Sequence, residues 1–510
     1  METVFFRDVK QFRMKFLPGL LGISLFFSPA NIPAAPPKKP RLFIADYENV
    51  LGTSMELKVN AASPGTAEKA QSAVLHEIAR LSAILSGYDP ASEFSRWQRT
   101  SNIPVHISHE LFEVLGLFDQ WRVRTGGALD ASAEVVTRLW KQAAKNGQPP
   151  TVVQLAQAVA EVKQRHWRLD SINHTATHLT KAPLMLNSFA KSYIIRHAAD
   201  AGRKAAGADA VIVNIGGDIV VSGNTPETID VSDPKSDAEN ATPIDRIRVN
   251  NLTVATSGNY RRGELIAGRW YSHIVDPRTG QPADNIISAT VVAPNATDAG
   301  ALATAFNVLT PTESVRLAQQ LTGVDYLVIT TAGDRIESPG WKTLELPAGN
   351  RKPEMGAADD FELLIDLQIK LQEGFAKRPY VAVWVEDENH APVRTISVWH
   401  GVDKYMPELK SWYLKYRDRY KDDQNFHSSI TSATRSAGKY TVKWDGRDDQ
   451  GKPVKPGKYV IKIEASREHG TYQLMRQEIA WDDTPKKFTL PGNAEIAAVS
   501  FDYTKSANAH

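Results

Sequence analysis

Residues 211–221 read Val-Ile-Val-Asn-Ile-Gly-Gly-Asp-Ile-Val-Val. Val211–Ile215 and Ile219–Val221 are short β-branched runs on either side of a Gly-Gly pair, which predicts two buried strands around a turn. Upstream, Leu42–Ala45 and the alternating Met55, Leu57 and Val59 have the same texture. Between these strands the period changes. Pro64-Gly65-Thr66 breaks the chain, and Ala67, Ala70, Val74, Ile78, Leu81 and Leu85 then recur at helical spacing until Gly87. Further helices are predicted over 110–123, 152–164 and 301–309, and another buried strand over 325–330. Strands and helices alternate without a regular βαβ rhythm, which predicts an α+β domain and not a doubly wound sheet.

The texture shifts after Leu346. Residues 347–360 (PAGNRKPEMGAADD) are rich in Pro, Gly and charge and read as a linker. Beyond it, 361–370, 380–385 and 459–465 are strand-like, and the Trp444–Gly451 stretch with Pro456-Gly457 reads as hairpin turns. Residues 361–510 are therefore expected to form an all-β, Ig-like sandwich. Trp384, Trp399, Trp412, Trp444 and Trp481 are assigned to its core, and Asp445, Asp448 and Asp449 to turn caps.

Composition narrows the chemistry. Hydrophobic residues at 42% and charged residues at 23% fit globular domains and exclude wholesale disorder. Sixty basic against 58 acidic side chains give no global excess to draw in nucleic acid. The absence of cysteine excludes thiolate nucleophiles, Cys-ligated zinc and iron–sulfur clusters. At the start of the chain, Arg7, Lys10, Arg13 and Lys15 precede a short apolar core, followed by Ala30, Ala34 and Ala35. This pattern predicts a signal peptide over 1–35, since a spanning helix needs ~20 apolar residues. A stiff spacer over 36–41 leads to a first domain over 42–346. The mature protein is expected to be exported to the periplasm or beyond, soluble and without a stable membrane span.

Two segments carry candidate chemistry. Ala255-Thr256-Ser257-Gly258-Asn259-Tyr260 reads as a Ser/Gly turn whose N–H groups and hydroxyls suit an anion. His273-Ile274-Val275-Asp276-Pro277-Arg278-Thr279-Gly280-Gln281-Pro282 puts a His one strand step before a tight turn. Taken alone, each also reads as an ordinary hairpin turn. Together, at this spacing, they resemble the TSG-x-Y and HI-x-DP-x-TG-x-P signatures of the ApbE-type FAD:protein FMN transferases.

The resemblance covers about residues 42–346. Leu51-Gly52-Thr53 is similar to the family's Met-Gly-Thr opening, and Tyr88-Asp89-Pro90 to the segment whose tyrosine packs on the flavin nucleotide. Gly126-Gly127-Ala128-Leu129-Asp130 with Leu139-Trp140 resembles the GGAFD…LW element. Ser188-Phe189-Ala190-Lys191-Ser192-Tyr193 resembles GIAKGY, Asn214–Asp218 matches N-x-GGD, and Ala301–Ala305 matches ALATA.

The resemblance implies an exported enzyme that splits FAD, attaches FMN through a phosphoester to a threonine of an exported acceptor protein, and releases AMP. It implies FAD as substrate and Mg2+ as cofactor. Lys191 and the Gly216-Gly217 turn would meet the diphosphate, and His273 would contact it or shuttle a proton. Leu51, Tyr88, Ala128, Leu129, Asp130, Ser257 and Ile274 would complete the nucleotide pocket. The metal would keep the Ser188 and Ala303 carbonyls and the Thr304 hydroxyl. Bland readings stand beside these: a solvated charge for Lys191, a turn cap for Asp130, a hydrogen-bonded strand residue for His273.

Four positions depart from the family's pattern. Gly300 stands where the family directs an Asp at the metal, and Met185 where it commonly has another. Gln98 replaces an Asn and Ser192 a Gly. Asp298 lies two residues from 300, roughly 200° around a helix. Two lost carboxylates weaken a site for a hard cation, so metal binding is expected to depend on bound FAD. The single change Gly300→Asp is expected to restore the acid without unfolding the domain. The alternatives are a flavin-binding protein, a weak FAD pyrophosphatase, or a protein that docks partners through its C-terminal domain. That domain resembles a domain of unknown function appended to exported transferases, and also the Ig-like domain of flagellar hook-capping proteins.

Overall fold

The structure, a computed structural model, describes residues 40–505 except 237, 260–261, 347–360, 371–377, 402, 424–425, 427–428 and 468–469. The signal peptide, most of the first spacer, the 347–360 linker and Tyr260 lie outside the described residues.

The Gly-Gly turn joins Ala210–Ile215 to Asp218–Gly223, paired antiparallel from Ala210↔Gly223 to Ile215↔Asp218. These strands stand inside an eight-stranded sheet. Its order is Arg41–Val50, Thr53–Ala61, Ala210–Ile215, Asp218–Gly223, Thr253–Gly258, Ile286–Ala293, Asp325–Thr330 and Arg335–Glu337. Every neighbouring pair is antiparallel.

Period-2 patterning gives the sheet two apolar faces. One buries Met55, Leu57, Val59, Val211 and Val213 against the helices Pro64–Leu85, Ala190–Ala206 and Ala296–Val308. The other buries Ile212, Val221, Val254 and Leu327 under the two-stranded ribbon Glu227–Val231/Asp245–Val249 and Trp341. An antiparallel sheet with long helices on one face is the expected α+β architecture. Pro64–Leu85 starts where its sequence asks, with Ser63 capping Thr66 N and a proline in the first turn.

Residues 361–505 build two facing sheets. One has the order Gly438–Trp444, Phe361–Ile369, Ile496–Lys505, Lys486–Pro491. The other is Thr431–Ala433, Pro392–His400, Tyr380–Asp387, Gly457–Ser466, Tyr472–Trp481. Leu363, Ile365, Val383, Val385, Trp444, Trp481 and Phe501 fill the space between them, as in a sandwich. All five tryptophans assigned to the core are buried.

Two features differ from the sequence expectation. The segment after Trp444 is not a hairpin between adjacent strands, because Gly438–Trp444 and Gly457–Ser466 belong to opposite sheets. It crosses the sandwich through a local turn, held by the Arg447–Pro453 bridge and roofed by Trp481 over Gly446 at φ 70°. The second feature is a helix, Lys410–Asp422, lying on the outer face of the second sheet. Its Trp412, Tyr416 and Tyr420 pack with Trp384 and Val398.

The two regions touch through the chain around 238–240. Glu239 N donates to Thr441 O at 2.8 Å, and Asn240 exchanges two hydrogen bonds with Lys443. Arg435 pairs with Glu239 at 2.9 Å.

Candidate functional site

Several family-like motifs converge on one end of the eight-stranded sheet. Val50 pairs with Thr53, so Leu51 and Gly52 form a two-residue turn with φ of 50° and 80°. Such a turn needs positive φ at both positions, which a leucine adopts at a cost of about 1–2 kcal/mol. Next to it, Gly216 and Gly217 turn with φ of 57° and 90°. A Cβ on Gly216 would stand 2.8 Å from Thr53 Cγ2, so glycine is what lets the two turns touch.

The helix Ala190–Ala206 begins beneath these turns with no side chain capping its N-terminus. Lys191, near its start, sends Nζ to 3.1 Å from both the Ile215 carbonyl and Asp218 Oδ2. Ser192 Oγ donates to the same Asp218 oxygen at 3.1 Å. Asp218 is buried, which pushes its carboxyl above the usual range against the opposing pull of Lys191. Neither Ser192 nor Asp218 was assigned a role from the sequence. Asp218 stands last in the N-x-GGD turn and Ser192 is a departure from the family pattern, so both carried a signal.

Thr256-Ser257-Gly258 is a strand end and not the turn expected from its sequence. The three residues stand in register with Thr290, Ala289 and Ser288. Asn307, on the helix Ala296–Val308, ties this strand down by donating from Nδ2 to Ser257 O at 2.9 Å and to Ala303 O at 3.0 Å.

His273 follows the hairpin Gly263–Ile266/Arg269–Ser272. Its Nδ1 lies 3.0 Å from Arg262 O. A carbonyl only accepts, so Nδ1 carries the proton and Nε2 keeps its lone pair. The residue is exposed, yet surrounding protein depresses the imidazole pKa below its ordinary value. The positive charges of Arg262 and Lys141 act in the same direction. Ile274, half-buried, accepts from Ala283 N at 2.8 Å. The following turn is locked by Arg278, which grips Asp276 and reaches Glu313 at 2.9 Å. The outward face of the hairpin exposes Leu265 and Trp270, cross-strand partners.

Tyr88 is 75% exposed, and its hydroxyl accepts from Asn187 Nδ2 at 2.6 Å, beside Ser188. It stands free for a ring to stack on. Three other assigned residues are enclosed by protein. Ala128 and Leu129 are core residues, buried among the helices, and their N–H groups bond to Thr125. Asp130 is the turn cap of the bland reading. Its side chain is 1% exposed, with Oδ1 accepting from Ser132 N and Oγ and Oδ2 lying 2.9 Å from Arg122 Nε.

The expected metal donors are brought together, but each already has a protein partner. Thr304 Oγ1 donates to Ser188 O at 3.0 Å, and Ala303 O is occupied by Asn307. All three are neutral, and among the described residues no three His, Cys, Asp or Glu cluster as metal ligands. A carboxylate at position 300 would collide with Ser192. Asp298 lies in the first turn of its helix, behind the Asn295 cap, half-buried with its carboxyl raised by that burial. This donor set does not fit a magnesium ion.

Comparison with known proteins follows the same division. The ApbE family model matches residues 51–328, and a model described as a predicted periplasmic protein (DUF2271) matches residues 362–498. The FAD:protein FMN transferase of Haemophilus influenzae is 28% identical over 334 residues, 62% of this chain and 94% of that protein. That of Escherichia coli K12 is 25% identical over 342 residues, 64% and 95% respectively. The crystal structure of the ApbE protein from Thermotoga maritima superposes with a TM-score of 0.54 at 26% identity, covering 60% of this chain and 100% of that one. The flavin transferase ApbE from Vibrio cholerae, 23% identical with a TM-score of 0.50, covers 60% and 99% and shares the fold. Among the described residues, no helix is long and apolar enough to cross a membrane.

Proposed function

Because the chain belongs to the ApbE family, we propose that it is an FAD:protein FMN transferase acting on an exported acceptor protein. The observation that carries this reading is the convergence of the Leu51-Gly52 turn, the Gly216-Gly217 turn, Lys191 and Ser257 on one end of the sheet. In the reaction, a threonine Oγ of the acceptor attacks the flavin-side phosphorus of FAD. A new O–P bond forms, the bridging P–O bond breaks, and AMP leaves with the bridging oxygen. His273 Nε2 takes the hydroxyl proton and returns it to solvent or to the leaving phosphate. Lys191 and the Gly216-Gly217 turn hold the diphosphate, and Tyr88 stacks on the nucleotide. Leu51, Ser257 and Ile274 line the pocket. No step is routed through magnesium, because the donor set does not fit it.

Residues 1–35 serve as export signal, 42–346 as the transferase part, and 361–510 as an accessory domain in the periplasm. Incubating the protein with FAD and candidate exported acceptors tests the reading. Covalent flavin on the acceptor, with a mass gain of FMN less one water and matching AMP release, is the expected result. Tight FAD binding or hydrolysis without a flavinylated protein would favour the second reading, a flavin-binding protein or weak pyrophosphatase, which the neutral metal donors support.

A further inference from the structure

We propose that the chain Ser192–Asp218–Lys191 takes the place of a protein-ligated divalent ion opposite the diphosphate of FAD. This inference rests on the reading that FAD binds at the Gly216-Gly217 turn. An ammonium has three donors. Two of Lys191's are directed at the Ile215 carbonyl and Asp218, both 3.1 Å away. The third has no recorded partner among the described residues, and the Lys191 side chain is 32% exposed against 11% for Asp218. The carboxylate thus lies beneath the cation, and an incoming phosphate meets the positive end first. Ser192 Oγ donates to the same Asp218 oxygen, so the carboxylate and with it the ammonium are held in place before substrate arrives. Gly216 and Gly217 are exposed, so the phosphate can approach the backbone closely.

One residue accounts for both halves of the exchange. The Ser192 hydroxyl that anchors Asp218 also fills the space where a side chain on residue 300 would begin. A metal-directed carboxylate at 300 and a hydroxyl at 192 exclude each other sterically. Ser192 and Asp218 are positioning residues that act through Lys191.

The test is FAD affinity, read from quenching of flavin fluorescence in EDTA and in millimolar magnesium chloride. Wild type is expected to bind FAD equally in both. Lys191→Gln should lose roughly tenfold or more in both, the scale of one charge-assisted hydrogen bond, with recovery in Lys191→Arg. The paired change Ser192→Gly/Gly300→Asp should make binding magnesium-dependent, which a merely structural role for Ser192 would not do. Much tighter FAD binding by wild type in magnesium would overturn the proposal while leaving the nucleotide site intact, as would an unchanged Lys191→Gln. Absence of FAD binding in either buffer would overturn the transferase reading as well.

Discussion

Ser192 and Gly300 share one space. A Cβ on residue 300 would stand 3.1 Å from Ser192 Cβ, 3.4 Å from Phe189 Cα, and well inside contact with Ser192 Oγ. On sequence alone Gly300→Asp looks benign, since exchanging glycine for aspartate within a helix gains about 0.3 kcal/mol. The packing reverses that expectation: overfilling a close-packed helix contact costs about 1–3 kcal/mol. Gly300→Asp alone should therefore lower the urea midpoint, and adding Ser192→Gly should recover most of the loss. Additive losses in the double variant would show that the two positions do not compete for the same volume.

As the proposed proton acceptor, His273 is expected to set the pH dependence of transfer. Its imidazole is held below the ordinary value of about 6.5, so it is neutral at pH 7 with Nε2 able to accept a proton. The transfer rate should stay level as pH falls from 8 to about 6.5 and decline only below that. His273→Ala should reduce turnover far more than FAD affinity and abolish the acid limb. Equal losses in both would make His273 a binding residue.

Tyr88 offers a simple affinity test. The ring is exposed and tethered only through its hydroxyl to Asn187. Stacking of an aromatic side chain on a nucleotide ring is worth about 1–3 kcal/mol, so Tyr88→Ala should weaken FAD binding roughly 5- to 150-fold. Tyr88→Phe keeps the ring and should lose little. Unchanged affinity in the Ala variant, measured by titration, would remove Tyr88 from the site.

What the sequence made legible followed from period and from glycine. Alternation at Met55, Leu57 and Val59 and the helical spacing from Ala67 to Leu85 each located an element, because each buries one face. The Gly216-Gly217 turn was readable because few other residues adopt its φ values. What stayed hidden was the environment around each motif. Asp130 has a ligand-like side chain, but whether it faces a pocket or caps Ala131–Ala133 depends on Arg122, a neighbour eight residues away. Thr256-Ser257-Gly258 has turn composition, yet Ile286–Ala293 recruits it as a strand through long-range pairing. The Ser192–Gly300 exclusion joins residues on two helices and leaves no trace in local pattern. Lys410–Asp422 was missed because its apolar positions, Trp412, Tyr416 and Tyr420, are outnumbered by charge.

The helix Lys410–Asp422 is held at its start by a carboxylate from a neighbouring strand. Glu464, on the strand Gly457–Ser466, is fully buried and accepts from Ser411 N and Trp412 N, both at 2.8 Å. It caps the start of Lys410–Asp422 from another element, where Leu409 makes no side-chain cap bond. Burial raises its carboxyl pKa, against the pull of those two N–H groups, so the capping contacts offset a desolvation penalty. Glu464→Ala removes both acceptors and leaves two helix N–H groups unmet. Hydrogen bonds to charged groups are worth about 1.5–3 kcal/mol each, so the loss should reach about 3 kcal/mol or more. Glu464→Gln, which keeps one carbonyl acceptor, should lose less. The core around Trp412 is separate from the core under the eight-stranded sheet. Urea unfolding followed by tryptophan fluorescence should therefore show an early transition in Glu464→Ala, while FAD affinity stays at the wild-type value. If FAD affinity falls with that transition, the two regions fold as one cooperative unit, coupled through contacts such as Glu239–Thr441, Asn240–Lys443 and Arg378–Glu48.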